Sequence, residues 1–188
     1  MKGEYRALGV DFDTRGEKMD EYILALKAAW TNDEFSYKGT DYEALGNRIH
    51  PRPIQKPHPP ILIGGNGKRA IRRAAELGDA WNPFPTASST LAATSRTVEF
   101  STDEDIVEGI ALLRAECERI GRADVPGVEL AGLPGINTFD NSQMILDALG
   151  RYTDLGISAV GVHFNGSTRA SWCDNVEKFG AEVIAKLS

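Results

Sequence analysis

Strands alternating with helices in four successive repeats predict an α/β chain whose strands form a parallel sheet with right-handed crossovers. Three stretches carry that expectation. Ile61-Leu62-Ile63 is a wholly apolar run fenced by Pro59-Pro60 and Gly64-Gly65, the pattern of a short strand buried on both faces. Directly after it, Ala70, Ile71, Ala74, Ala75 and Leu77 recur at helical spacing, and Gly78 stands where a helix stops. Later, Ile157 to Phe164 repeats the apolar-strand signal, ahead of a helix-period segment from Ala170 to Leu187 that carries Trp172, Val176, Phe179, Val183 and Ile184 inward.

The other elements follow in order. Residues 1–13 are polar and lack a strand, as though an element before them were missing. Thr14 and Glu17 have capping-box spacing and predict a helix to Thr31, buried through Met19, Tyr22, Ile23, Leu26 and Trp30. Alternation at Phe35-Ser36-Tyr37 and the turn residues Lys38-Gly39-Thr40 predict a short β excursion, then a proline-rich approach to Ile61. Asn66 reads as the N-cap of the basic helix, and Ala80-Trp81-Asn82 as the strand after it. Residues 86–102 are small and polar without period and read as a mobile loop. Thr102 or Ser101 caps a helix that ends at Gly121, with Ile106, Ile110, Leu113 and Cys117 inward. Val128 to Ala131 is the next strand. Asp140 and Gln143 form another capping-box pair, opening a helix through Met144, Ile145, Leu149 and Tyr152 that stops at Leu155-Gly156.

The 188 residues suit one domain, residues 1–188, with a real core. A closed eightfold β/α barrel takes roughly 250 residues. Four repeats make half of such a ring. A net charge of −6 excludes nucleic acid or an anionic membrane as the main partner. Cys117 and Cys173 fall in predicted helices without metal-ligand spacing, the usage of reduced thiols in a cytoplasmic protein. No apolar run approaches the roughly 18 residues a membrane span needs. No Ser-His-Asp set, carboxylate pair or metal cluster has workable spacing, so hydrolase and metalloenzyme classes fall away.

The strongest chemical signal is the Gly64-Gly65-Asn66-Gly67 turn between the Ile61 strand and the basic helix. A helix N-terminus opening from such a turn presents unpaired amides and the positive end of the helix dipole to an anion. Lys68 and Arg69 in the first turn oppose the dipole but suit a phosphate. The turn is neither the dinucleotide fingerprint nor the nucleotide phosphate loop, and many α/β proteins carry a glycine-rich turn with no ligand.

Three pieces of the chain, residues 7–30, 51–83 and 156–164, resemble the luciferase-like monooxygenases, most closely the branch that uses the deazaflavin coenzyme F420. The middle piece, PRPIQKPHPPILIGGNGKRAIRRAAELGDAWNP, carries the likeness most specifically. The resemblance implies a TIM barrel, usually dimeric, that binds F420 or, alternatively, FMN at the C-terminal ends of its strands. It implies that the strands here are the fifth (61–63), sixth (80–82), seventh (128–131) and eighth (158–164), the first four lying upstream in the family. Carried over residue by residue, Gly65 N–H, the Asn66 N–H and side chain, and Arg69 meet the cofactor phosphate. Gly64 permits close approach, and Trp81 and Asn82 lie near the ring. The implied activity is hydride transfer between cofactor and a small organic substrate, with no catalytic residue assigned. The alternative is a non-catalytic remnant that keeps the fold and its association surface.

Other residues stay open between two accounts. Arg72 and Arg73 either attract the acidic tail of F420 or form a solvated helix face. His163, at a strand's C-terminal end, either serves substrate or is structural. Glu129 faces a barrel interior or a strand edge, and Arg169 meets a substrate anion or solvent. His50 and His58 are assigned nothing. Half a ring leaves two unpaired strand edges and uncovers an inner face expected to be apolar in Ile, Val and Leu, which predicts a homo-oligomer or a second chain supplying the missing strands.

Overall fold

The computed structural model describes residues 2–85, 93–94, 96–133 and 141–187. Along the chain, helices α1 (Lys2–Ala7) and α2 (Arg15–Thr31) precede an antiparallel hairpin of β1 (Phe35–Lys38) and β2 (Glu43–Asn47). Then come β3 (Leu62–Gly64), α3 (Lys68–Leu77), β4 (Ala80–Asn82), α4 (Asp103–Ile120), β5 (Gly127–Leu130), α5 (Ser142–Asp154) and β6 (Ala159–Val160). A terminal run of α6 (Arg169–Phe179), a π-helical stretch (Gly180–Ile184) and α7 (Ala185–Leu187) closes the described chain. Strands β3, β4, β5 and β6 lie side by side in that order, all parallel. The expected parallel α/β sheet is present.

Register decides what each sheet face carries. Ile63, Trp81 and Val128 sit abreast, and Leu130 sits beside Val160. These side chains join Ile71, Ala74, Ile110 and Leu113 of α3 and α4 in one core. The opposite face carries Leu62, Asn82, Glu129 and Ala159, because side chains alternate along a strand. That face is open: Leu62 is 45% exposed, Ala159 is exposed, and Asn82 and Glu129 are half-buried. The Ile/Val/Leu lining expected there is instead on the helix side.

Most expected elements are present with small shifts of boundary, and several details differ. The expected 158–164 strand is two residues long, Ala159–Val160, since its partner β5 ends at Leu130. Thr14 precedes α2 without a side-chain cap; its hydroxyl donates to Asp11 O at 3.3 Å. Met19, Tyr22 and Leu26 of α2 are exposed, while Ile23, Ala25 and Ala29 are buried. Ala29 packs with Phe35 and Ala44 of the hairpin, so the smaller residues mark the true contact face. Thr102 and Asp105 make the capping box of α4, and Gly121 ends it with φ +71°. Asn141 caps α5, accepting from Gln143 N at 2.9 Å and Met144 N at 3.2 Å. Asp140, expected in that role, lies outside the described residues, as do residues 86–92 and 95 of the expected mobile loop. Met144, Trp172 and Ile184 are exposed rather than inward, whereas Val183 is fully buried.

Two polar clamps hold α3. At its end, Arg122 Nη1 donates to Ala75 O at 2.9 Å and Gly78 O at 2.8 Å, satisfying carbonyls a helix terminus leaves open. On its flank, buried Glu116 of α4 accepts from Arg72 Nε at 2.7 Å and from Arg119 Nε at 2.6 Å. The hydrogen bond from Arg72, then that from Arg119, holds the Glu116 carboxyl below its ordinary value. A carboxylate with a depressed folded pKa contributes stability that is present above its unfolded value, near 4.5, and lost as pH falls through the folded one. Urea midpoints measured down through that range should therefore fall more steeply for the wild type than for Glu116→Gln, with the two converging in acid.

Candidate functional site

The turn between β3 and α3 is built from glycines where geometry demands them. Gly65 has φ +124°, and a Cβ there would come within 3.0 Å of the Ala70 methyl. Its N–H donates to Asn82 O at 3.2 Å, and its carbonyl accepts from Trp81 Nε1 at 2.8 Å. Asn66, only 7% exposed, points inward. Its Nδ2 donates to Phe84 O at 2.8 Å and Val98 O at 2.9 Å, and its Oδ1 accepts from Phe84 N at 2.8 Å. The side chain thus ties three loop segments together. Gly67, not Asn66, is the N-cap of α3, with extended φ −81°, ψ 157°.

These ties leave a row of backbone donors without acceptors among the described residues. Ala70 N and Ile71 N both reach Gly67 O, so the helix ladder begins there. Among the described residues, the N–H groups of Asn66, Gly67, Lys68 and Arg69 meet no acceptor. They border a cleft of about 670 Å³ between this turn and the start of α2. Arg15, Lys68, Arg69, Arg73 and Arg96 all line it. Arg15 donates to Phe12 O at 2.7 Å and lies over the Phe12 ring. Arg73 is held by Asp20 and by Gly16 O, and Arg96 by Asp13 at 2.7 Å. Arg15, Lys68 and Arg69 have no anionic partner among the described residues, so the cleft sets their charge beside four amides that meet no described acceptor.

The structure places Gly64, Gly65, Asn66 and Arg69 on the border of this cleft and occupies groups that two of them were expected to offer. The Gly65 N–H is engaged by Asn82, and the Asn66 side chain serves Phe84 and Val98. Trp81 is a correction. It is 0% exposed on the helix side of the sheet, T-stacked on Phe100 at 5.9 Å, and faces no ligand space. The alternation of side chains puts its neighbour Asn82 on the open face instead. Arg72 and Arg73 are neither free for an acidic tail nor merely solvated, since Glu116 and Asp20 hold them. His163 Nε2 lies 3.1 Å from Ala131 O, and Glu129 is half-buried on the open face. Arg15 and Arg96 escaped sequence reasoning because they come from distant segments with no local motif. Among the described residues no cluster suits a metal ion and no helix is long and apolar enough to cross a membrane.

Comparison with known proteins agrees with this architecture. An FMNH2-dependent dimethylsulfone monooxygenase of Pseudomonas putida is 40% identical over 82 residues, covering 42% of this chain and 23% of that protein. Among solved structures, monooxygenase RslO1 from Streptomyces bottropensis superimposes with a TM-score of 0.73 at 13% identity, over 99% of this chain and 66% of its own. An F420-dependent secondary alcohol dehydrogenase in complex with an F420-acetone adduct gives 0.66 at 10% identity, over 93% of this chain and 62% of its own. The chain therefore spans about a quarter of the first relative's length and under two thirds of either structural neighbour's. The likeness to the solved structures is one of fold. Residues 2–100, more than half of the chain, match the family model for luciferase-like monooxygenases, and the chain belongs to that family.

Proposed function

We propose that the chain anchors the phosphate of a flavin-type cofactor at the turn before α3, within an oxidoreductase that passes a hydride between cofactor and a small organic substrate. One observation carries this reading. Among the described residues the amides of Asn66 to Arg69 meet no acceptor and Lys68 and Arg69 meet no anion, and all of them border one cleft at a helix N-terminus, at the C-terminal end of a parallel strand. The bound cofactor would supply the redox chemistry. The chain's own part is to neutralise the phosphate through Lys68 and Arg69 and to donate to it from the backbone. The Asn66 ties keep the turn in shape for that task.

Of the two cofactor classes used by relatives, FMN fits better than F420. The acidic tail of F420 would look to Arg72 and Arg73, and both are already paired. The Pseudomonas putida relative is FMNH2-dependent. We further propose that the outer edges of β3 and β6, unpaired among the described residues, are covered by a second copy or by a chain carrying complementary strands. A second reading, a fold kept without catalysis, draws on Trp81 facing away from the open face and on the engaged Gly65 N–H.

Fluorescence titration with FMN, F420 and riboflavin tests these readings. FMN should bind more tightly than riboflavin, which lacks the phosphate. The Lys68→Ala/Arg69→Ala variant should weaken FMN by about 10- to 100-fold, the range for losing charge-assisted bonds to a phosphate, and leave riboflavin unchanged. Equal affinity for FMN and riboflavin would refute the phosphate site. Binding of neither FMN nor F420 would select the second reading.

A further inference from the structure

The open face beside the glycine turn holds one polar side chain with a fixed orientation and a free acceptor. Asn82 ends β4, with its Cα directly abreast of Gly64. Its Nδ2 donates to Glu129 O at 2.7 Å. A backbone carbonyl only accepts, so that bond fixes which side-chain atom faces it, and Oδ1 must point the other way. The backbone carbonyl of Asn82 is taken by Gly65 N–H at 3.2 Å. Its Oδ1 meets no donor among the described residues. Every described side-chain N or O atom that is shut off from solvent has a partner, so Oδ1 is open to solvent.

Among the described residues no side chain separates this acceptor from the turn proposed to hold the phosphate. Gly64 lies between them on the same face, and a Cβ added there would meet only Asn82 O, at 3.9 Å. The next polar group on that face is the Glu129 side chain, another acceptor when ionised. The strip leading away from the turn therefore recognises donors and repels a second anion. A phosphate held at Lys68 and Arg69 is followed, in FMN and F420 alike, by a polyol arm whose hydroxyls are donors.

We infer that Asn82 binds this arm, its Oδ1 accepting from a hydroxyl as the arm passes over Gly64 toward the open face. The assignment rests on the cofactor reading above and adds to it a residue that recognises the arm rather than the phosphate. Its test uses FMN and an FMN analogue whose arm is a plain alkyl phosphate without hydroxyls. Wild-type protein should bind the analogue about five- to tenfold more weakly than FMN, the worth of one or two hydrogen bonds. In Asn82→Ala the two should bind alike. The wild-type comparison stands even if the variant folds poorly. A wild type that does not discriminate the arms, or a variant that loses FMN and analogue equally, overturns the assignment. Discrimination of FMN from riboflavin alongside no discrimination of the arms would overturn Asn82 alone and leave the phosphate site standing. Binding of neither ligand overturns both.

Discussion

Trp81→Ala should lower folding stability by about 3–5 kcal/mol, the cost of removing a large aromatic from a packed core. The indole is fully buried between the sheet and α4. Its fit there is close: a Cβ added at Gly109 of α4 would lie 2.3 Å from its Cη2 atom. Small neighbours cannot collapse into the space left by Ala, because Gly109 sits on a helix whose other buried residues are already in contact with the core. Trp81→Phe separates packing from polarity. It keeps most of the apolar volume but removes the bond from Nε1 to Gly65 O, so about 1–2 kcal/mol is expected. Urea unfolding with an unchanged slope reads both values. If Trp81→Ala instead left stability intact and abolished only cofactor binding, the ring would face the ligand, as the resemblance implied.

Asn66→Ala ranks next, with an expected loss of about 2–4 kcal/mol from deleting a buried amide and stranding its partners. Three bonds of 2.8, 2.9 and 2.8 Å vanish, and the Phe84 and Val98 carbonyls lose their donor. Asn66→Asp keeps the acceptor for Phe84 N–H but sets a carboxylate against two carbonyl oxygens. At neutral pH it should destabilise at least as much as Ala. Acid should return part of that loss, because a protonated carboxyl can donate once. Unfolding midpoints of the two variants at neutral and acidic pH check this. A fully stable Asn66→Asp protein with weakened FMN binding would show instead that the side chain meets the phosphate.

The parts of this molecule legible in its sequence are those set by local pattern. The Ile61 run, the Ala70 to Ala75 stripe and the Thr102 cap each produced the element they foretold, since the chemistry responsible lies within a few residues. Asn66 shows where that reasoning stops. As an isolated residue it suits an N-cap; what turned it inward were the Phe84 and Val98 carbonyls, 18 and 32 residues away. Trp81 and Asn82 illustrate a different limit. Both stand at the right strand end, and only the pairing register, set by β3 and β5, shows which of the two meets the open face. On α2 the large apolar residues misled because Ala25 and Ala29 let the neighbouring elements approach, leaving Tyr22 and Leu26 outside.

Arg122 fastens the rear of α3 while Asn66 and Trp81 fasten the loop ahead of it. A helix gripped at both ends cannot slide or fray toward an incoming anion. For an anion bound there as proposed, the entropy of ordering the amides of Asn66 to Arg69 would be lost in folding rather than in association.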